Sequence, residues 1–149
     1  MDYQIQVLTI SVSDVDKAAA FYIRQAGFTL DVDYHPASDF RVVQLTPPGS
    51  ACSVQMGVGL TDAVPGSARA TYLAVTDIEV AHRELTERGV SVSPVRHKSP
   101  VVDWKGDWQP GVDPERRDYA SVADFADPDG NTWVVQEIGY HPPQRAGRG

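Results

Sequence analysis

Ala123-Asp124-Phe125-Ala126-Asp127-Pro128-Asp129-Gly130-Asn131-Thr132-Trp133-Val134-Val135-Gln136-Glu137-Ile138 reads as strand, tight turn, strand. Pro128 presets its own φ, the Asp and Asn side chains can bond nearby amides, and Gly130 supplies a positive φ. The residues after the turn carry the β-branched and aromatic bias of a strand. The same design recurs in weaker form earlier: Phe40 to Leu45, the turn Thr46-Pro47-Pro48-Gly49-Ser50, then Ala51 to Met56. Laying Gly49 on Gly130 pairs Ser50 with Asn131, Ser53 with Val134 and Gln55 with Gln136.

A second matching pair lies upstream of each turn. Val7-Leu8-Thr9-Ile10-Ser11-Val12-Ser13-Asp14 leads into a helix that ends near Gly27-Phe28. Ala70-Thr71-Tyr72-Leu73-Ala74-Val75-Thr76-Asp77 leads into one that ends near Gly89-Val90. Two half-chain copies of one unit constrain the whole fold, because a unit that repeats must pack against its own copy. The organisation that follows is a first βαβββ module over residues 1–60, a turn-rich linker over 61–68, a second module over 69–141, and a frayed tail over 142–149.

Within the first copy, residues 3–12 alternate as a strand, Ser13 or Asp14 caps the helix, and Gly27 suits its C-terminal end. Phe28 to Tyr34 reads as a second strand, and His35 to Asp39 as a loop. Residues 40–45 and 51–58 form a hairpin. In the second copy the strand is 70–75, the cap Asp77, the helix 78–88 and the next strand 90–95. From Asp14 to Gly49 is 35 positions, and from Asp77 to Gly130 is 53. The excess falls over about 96–118, with Trp104, Trp108, Pro100, Pro110 and Pro114, and reads as a lid.

The chain has 149 residues and a formal charge of −7, which argues against a general nucleic-acid binder, since phosphate neutralisation needs a basic surface. One cysteine, Cys52, excludes an intrachain disulfide; it falls in an expected strand and reads as a buried, inert thiol. There is no secretory signal pattern, and no apolar run approaches the roughly 20 residues of a spanning helix. The expectation is a cytoplasmic protein with no nucleic-acid and no membrane partner.

Two tandem βαβββ modules, the run Val12-Ser13-Asp14-Val15-Asp16-Lys17-Ala18-Ala19-Ala20-Phe21-Tyr22 and Asp-Pro-Asp-Gly-Asn-Thr-Trp together resemble the vicinal oxygen chelate superfamily. That group includes the glyoxalase I, bleomycin-resistance and extradiol dioxygenase families. The resemblance spans about residues 3–140. It implies an α+β fold in which each module curls a mixed sheet around an inter-module cleft, and it implies a homodimer.

The superfamily's usual chemistry is a divalent metal (Zn, Ni, Fe or Mn) that chelates two substrate oxygens, on an open-sided site. Its His, Glu or Gln ligands come from the first strand and from the third residue after the Asn of the last turn. Those positions fall on Val7 and Ala70, and on Ser53 and Val134, none of which is a good ligand. A slip of register brings in Gln6, Gln55, Gln136 or Glu137, the last three as fallback ligands, although in the register as set Glu137 faces the helices. The expectation is therefore no metal and no other cofactor.

Without a metal, Val7, Thr9, Ala70, Tyr72, Ser53, Gln55, Val134 and Gln136 are the expected pocket walls, mostly apolar with a few polar groups. Trp104, Trp108 and Tyr119 from the lid supply flat surface, and Arg116 could fork onto a ligand carboxylate. His35, His97 and Tyr72 are the candidates for acid–base work. Three functions fit: a metal-independent protein that sequesters or converts a small organic molecule; a metal-dependent lyase, isomerase or dioxygenase; or a dimeric scaffold with a filled cleft.

Overall fold

The computed structural model describes residues 1–99 and 106–144. Trp104, part of the expected lid and tail residues 145–149 lie outside the described residues. The two aspartates expected to start helices do so. Asp14 accepts from Lys17 N at 3.0 Å to open α1 (Val15–Ala20), which widens into a π-helical turn (Phe21–Gln25). Asp77 accepts from Glu79 N and Val80 N at 3.1 and 3.2 Å to open α2 (Ile78–Glu87). Each cap satisfies orphan amides of a short helix that could not stand alone in water.

The strands are β1 (Val7–Thr9), β2 (Thr29–Ala37), β3 (Phe40–Thr46), β4 (Ser53–Val58), β5 (Thr71–Val75), β6 (Arg96–Ser99), β7 (Asp107–Pro110), β8 (Ser121–Ala126) and β9 (Thr132–Glu137). They form two separate sheets, neither closed, ordered β1-β4-β3-β2 and β5-β9-β8-β6-β7. Each module pairs its first strand in parallel with its last, and pairs the others antiparallel. The fold is thus α+β with two strand modules, as the repeat implies.

Within the segment expected as a lid, Arg96–Ser99 and Asp107–Pro110 pair antiparallel, and β7 adds an edge strand to the second sheet. The strand expected at 90–95 is displaced to 96–99, where Arg96 and His97 pair with Val122 and Ser121. Pro94 has no N–H for a ladder, so the run before it cannot serve as an interior strand. In the first module β2 extends through His35 to Ala37, and only Ser38-Asp39 turns. β2 is an edge strand, so Pro36 costs no ladder bond there. Paired β1 is shorter than residues 3–12, and Cys52 is a half-buried bend residue just before β4.

One buried cluster joins both modules. Val43, Leu45, Val54 and Met56 of the first sheet and Ala123, Phe125, Trp133 and Val135 of the second pack with Ala18, Phe21, Tyr22, Phe28, Ile78 and Leu85. Rings of the first module lie on Trp133 of the second: Tyr22 at 5.8 Å and Phe28 at 5.7 Å between centroids, both edge-on. Phe125 stacks on Trp133 at 6.3 Å.

Inside that cluster the turn before β9 makes a polar staple. The Asp127 carboxylate accepts from Tyr22 Oη at 2.7 Å, Asn131 Nδ2 at 2.8 Å, and the amides of Asp129 and Asn131 at 2.9 Å each. Trp133 Nε1 donates to Tyr22 Oη at 2.9 Å. Asn131 also donates to Ser11 O and accepts from Ala68 N, both at 3.0 Å. Asp129 accepts from Ser13 N and Oγ at 3.1 and 2.5 Å. Gly130, at φ +91°, closes the turn that sets these groups.

A second staple holds the segment before β8. Arg116, in a left-handed conformation at φ +51°, forks onto the fully buried Glu137 at 2.5–3.2 Å. It also donates to Glu79 at 2.8 Å and Asp77 at 3.2 Å, and lies over the Tyr140 ring at 3.6 Å. Ile78 N donates to Glu137 Oε1 at 3.1 Å, placing that carboxylate at the N-terminus of α2.

Removing the Asn131 side chain takes one donor from buried Asp127 and leaves the half-buried Ser11 O and Ala68 N without that partner. Asn131→Ala should cost about 3 kcal/mol, against about 1–2 kcal/mol for Tyr22→Phe, in urea denaturation at neutral pH. Burial, followed by the Asp127 charge and the bond donated to it, pushes the Tyr22 phenol above its ordinary range. The unfolded phenol ionises near pH ~10, so this part of the stability is complete below that pH and falls as pH rises above it. Tyr22→Phe should flatten the alkaline limb of the stability curve. Glu137→Ala removes the buried half of the Arg116 fork and the acceptor of Ile78 N, leaving Arg116 only Asp77 and Glu79, and should cost about 3 kcal/mol in the same assay, with residues 113–119 losing hydrogen-exchange protection first.

Candidate functional site

Strand alternation divides each sheet into a face buried against the helices and an outer face. The ladders put Val7 beside Ser53 and Thr9 beside Gln55, with Gln44 across from Gln55, on the outer face of the first sheet. Gln55 Nε2 donates to Thr9 Oγ1 at 2.7 Å. Ser53 Oγ lies 2.7 Å from Thr46 Oγ1, which donates to Asp31. Val32 and Tyr34 of β2 pair with Gln44 and Val42, which extends the same face toward the sheet edge.

On the second sheet the outer face carries Tyr72 beside Val134, Ala74 beside Gln136, then Val122 and Asp124 of β8, and Arg96 of β6. Lys98 and Trp108 face each other across β6 and β7. The Trp108 ring, 45% exposed, has Lys98 Nζ at 4.5 Å and Arg96 Cζ at 4.8 Å from its centroid. Both are cation–π distances. Arg96 also bonds Asp124 at 2.6 Å, and Ser93 Oγ donates to the same oxygen at 2.7 Å. Burial acts to raise the Asp124 carboxyl, but the Ser93 and Arg96 bonds outweigh it and hold the group below its usual range. Gln136 Nε2 donates to Tyr119 O at 2.9 Å.

The expected wall residues therefore gather in two patches, Val7, Thr9, Ser53 and Gln55 on one sheet and Tyr72, Val134 and Gln136 on the other. Ala70 stands apart: it precedes β5 at φ +56°, its amide donating to Thr132 Oγ1 at 2.7 Å. The partner of Val134 is Tyr72, two positions further on than the alignment on Asp77 implied. Seven positions separate Val7 from Asp14, but five separate Tyr72 from Asp77, so the second copy joins strand to helix by a shorter turn. The slip is even, so the side chain keeps its face.

Tyr119 is half exposed at φ +69° beside Gln136. His35 is exposed on edge strand β2, near enough to Asp33 to act on its charge. His97 alternates with Arg96 and Lys98, which turns it to the other face of the sheet. There its Nδ1 lies 2.8 Å from Gly111 O. Of the three acid–base candidates, Tyr72 alone shares the outer face with Gln136. Arg116, expected to meet a ligand, is engaged by three carboxylates of its own chain.

At the positions where the resemblance places a metal, the side chains offer few donor atoms. Val7 and Val134 have no donor atoms, and the Ser53 hydroxyl is bonded to Thr46. The fallback residues do not converge: Gln55 is tied to Thr9, Gln136 to the Tyr119 carbonyl, and Glu137 lies on the helix side within the Arg116 fork. Among the described residues no group of three or more His, Cys, Asp or Glu side chains is placed to hold a metal ion. These residues do not fit a chelated divalent ion.

Arg96, Lys98 and Asp124 were missed from sequence. Arg96-His97-Lys98 are all polar, so no apolar–polar alternation marks them as a strand in the sequence.

A sequence profile of the Glyoxalase/Bleomycin resistance protein/Dioxygenase superfamily matches residues 4–135. The structure of TnmS3, an antibiotic binding protein from Streptomyces sp. CB03234, superposes with a TM-score of 0.68 at 29% identity, over 91% of this chain and 96% of the other. A glyoxalase/bleomycin resistance protein from the same strain gives 0.66 at 28% identity, over 90% and 100%. A superfamily member from Sphaerobacter thermophilus DSM 20745 gives 0.68 at 29%, over 92% and 98%. Comparison with curated proteins gives no match. A profile covering nearly the whole chain and a shared two-module architecture lead to one assignment: the chain belongs to the Glyoxalase/Bleomycin resistance protein/Dioxygenase, or vicinal oxygen chelate, superfamily.

Proposed function

We propose that this protein holds a small planar organic molecule on its outer sheet faces, without a chelated metal, and sequesters it rather than converting it. The observation that carries the reading is the exposed Trp108 ring flanked by Arg96 and Lys98, on the same face as Tyr72, which is 59% exposed. An indole offers a broad apolar surface, and the two cations attract electron-rich or acidic aromatics. The four positions that carry ligands elsewhere in the superfamily hold residues unsuited to a metal, which favours binding over metal chemistry. The likeness to an antibiotic binding protein at 29% identity points the same way.

A second copy covers the site in this reading. Leu30, Val32, Tyr34 and Phe40 leave a partly exposed apolar edge on the first sheet, more contiguous than a monomer's scattered surface residues. The protein acts in the cytoplasm. A lone half-buried Cys52 accords with that, and no helix among the described residues is long and apolar enough to cross a membrane.

The test is fluorescence titration with an anthracycline as a planar aromatic probe, on protein dialysed against a chelator. Micromolar or tighter binding is expected, unchanged by chelation and weakened about tenfold by Trp108→Ala, or ~1.4 kcal/mol. Sedimentation should give a dimer. Stoichiometric metal surviving dialysis, with binding lost on its removal, would overturn the reading in favour of the metal-dependent alternative. Unchanged binding by Trp108→Ala would remove the platform.

A further inference from the structure

The internal repeat gives the molecule two corresponding module junctions, and only one is sealed. At the first, the Asp127–Asn131 turn enters the corner between β1 and α1 and bonds Ser11, Ser13 and Ala68. Gly66 lies so close that a Cβ there would come within 2.0 Å of Asp129 O. At the second, the corresponding turn is Pro47-Pro48-Gly49-Ser50, set against the corner between β5 and α2. Its prolines donate nothing, and the Ser50 hydroxyl is turned back onto Cys52 at 2.6 Å. Among the described residues this turn makes no bond to the second module; Gln25 Nε2 donates to Gly89 O at 3.2 Å across the junction, and a pocket of about 290 Å³ opens beside it.

Phe28, Pro47, Leu73, Val75, Ala81 and Leu85 make its walls mostly apolar. Two charged side chains of α2 and its end, Glu84 and Arg88, complete the lining. The Arg88 guanidinium lies against Gly27, where an added Cβ would meet Nη1 at 2.4 Å; Gly27 also has φ +79°. The positive φ favours glycine at that position, and without a Cβ there the guanidinium can lie directly against the backbone. The Arg88 side chain makes no hydrogen bond or ion pair with the described residues. An apolar cavity at the small end of the usual range, walled on one side by an unengaged guanidinium, is suited to an apolar body with a carboxylate head. Glu84, one turn before Arg88 on the same lining, disfavours a second negative charge.

We infer that this unsealed junction is a second binding pocket, on the helix side of the sheets, for a small amphipathic monocarboxylate. Its apolar body lies between Phe28, Leu73 and Leu85, and its carboxylate is held by Arg88. The site is separate from the outer faces that carry Trp108 and Tyr72.

Amide NMR spectra of the full chain titrated with octanoate, octanol and octylammonium test this. Octanoate should saturate at sub-millimolar concentration and shift amides of residues 26–28, 73–75 and 81–88, with octanol several-fold weaker and octylammonium weaker still. Arg88→Gln should reduce octanoate affinity about tenfold and leave octanol unchanged. Ala81→Leu, which fills the cavity, should abolish both. No saturation up to several millimolar, shifts confined to Tyr72 and Trp108, or an octanoate affinity indifferent to Arg88→Gln would each overturn the proposal. Arg88 is exposed, so its variant keeps the test decisive even if Ala81→Leu does not fold.

Discussion

The buried carboxylate of Asp127 is the constraint on which the rest of the architecture depends. A charge 5% exposed at the module junction is tolerable only if nearly all its lone pairs are met. Four donors converge on it, three from its own turn and one from Tyr22 of the other module. Forming that arrangement fixes the turn, the entry of β9, and the position of α1 over the second sheet together. The ring packing of Tyr22 and Phe28 on Trp133 follows from the same placement, so polar satisfaction and apolar burial specify one geometry.

Because both helices pack on the inner faces, both outer faces turn to solvent. The apolar cluster leaves Tyr34, Tyr72 and Trp108 uncovered while the inner alternates Val43, Leu45 and Trp133 are buried. The Arg116–Glu137 fork supports one of these faces from behind. It fixes the end of β9 against α2, and Gln136, the preceding residue, then emerges on the outer side to hold the Tyr119 carbonyl. A group taken from sequence as a ligand candidate is in this way a support for its neighbour.

Legibility in the sequence followed how local the determining physics was. Caps at Asp14 and Asp77, the Gly130 turn and the two-module repeat were readable, because each rests on a few adjacent residues or on the repeat itself. The hairpin β6–β7 was not, since short polar strands at a sheet edge are stabilised by a partner distant in sequence rather than by their own pattern. Ala70 was misplaced for a related reason. Counting back from the helix cap assumes equal strand-to-helix turns, and the second copy's is two residues shorter. Glu137 was placed correctly on the helix side by parity alone, yet its partner Arg116 could not be inferred, as nothing local joins residues 21 apart.

The polar groups of the outer faces are mostly engaged with one another before any ligand arrives. Gln55 holds Thr9, Ser53 and Thr46 lead to Asp31, Gln136 holds the Tyr119 backbone, and Arg96 is fixed between Asp124 and Trp108. Side chains already fixed lose little conformational entropy on binding, so the faces are preorganised. What they still offer is flat aromatic and aliphatic surface, the Lys98 ammonium beside Trp108, and spare carbonyl and hydroxyl lone pairs. Such a surface discriminates by shape, stacking and the sign of charge. The divergence of the two repeats has the same character. The copy that kept Asp-Pro-Asp-Gly-Asn closes its junction with hydrogen bonds, whereas the copy carrying Pro-Pro-Gly-Ser leaves apolar walls and an unengaged guanidinium.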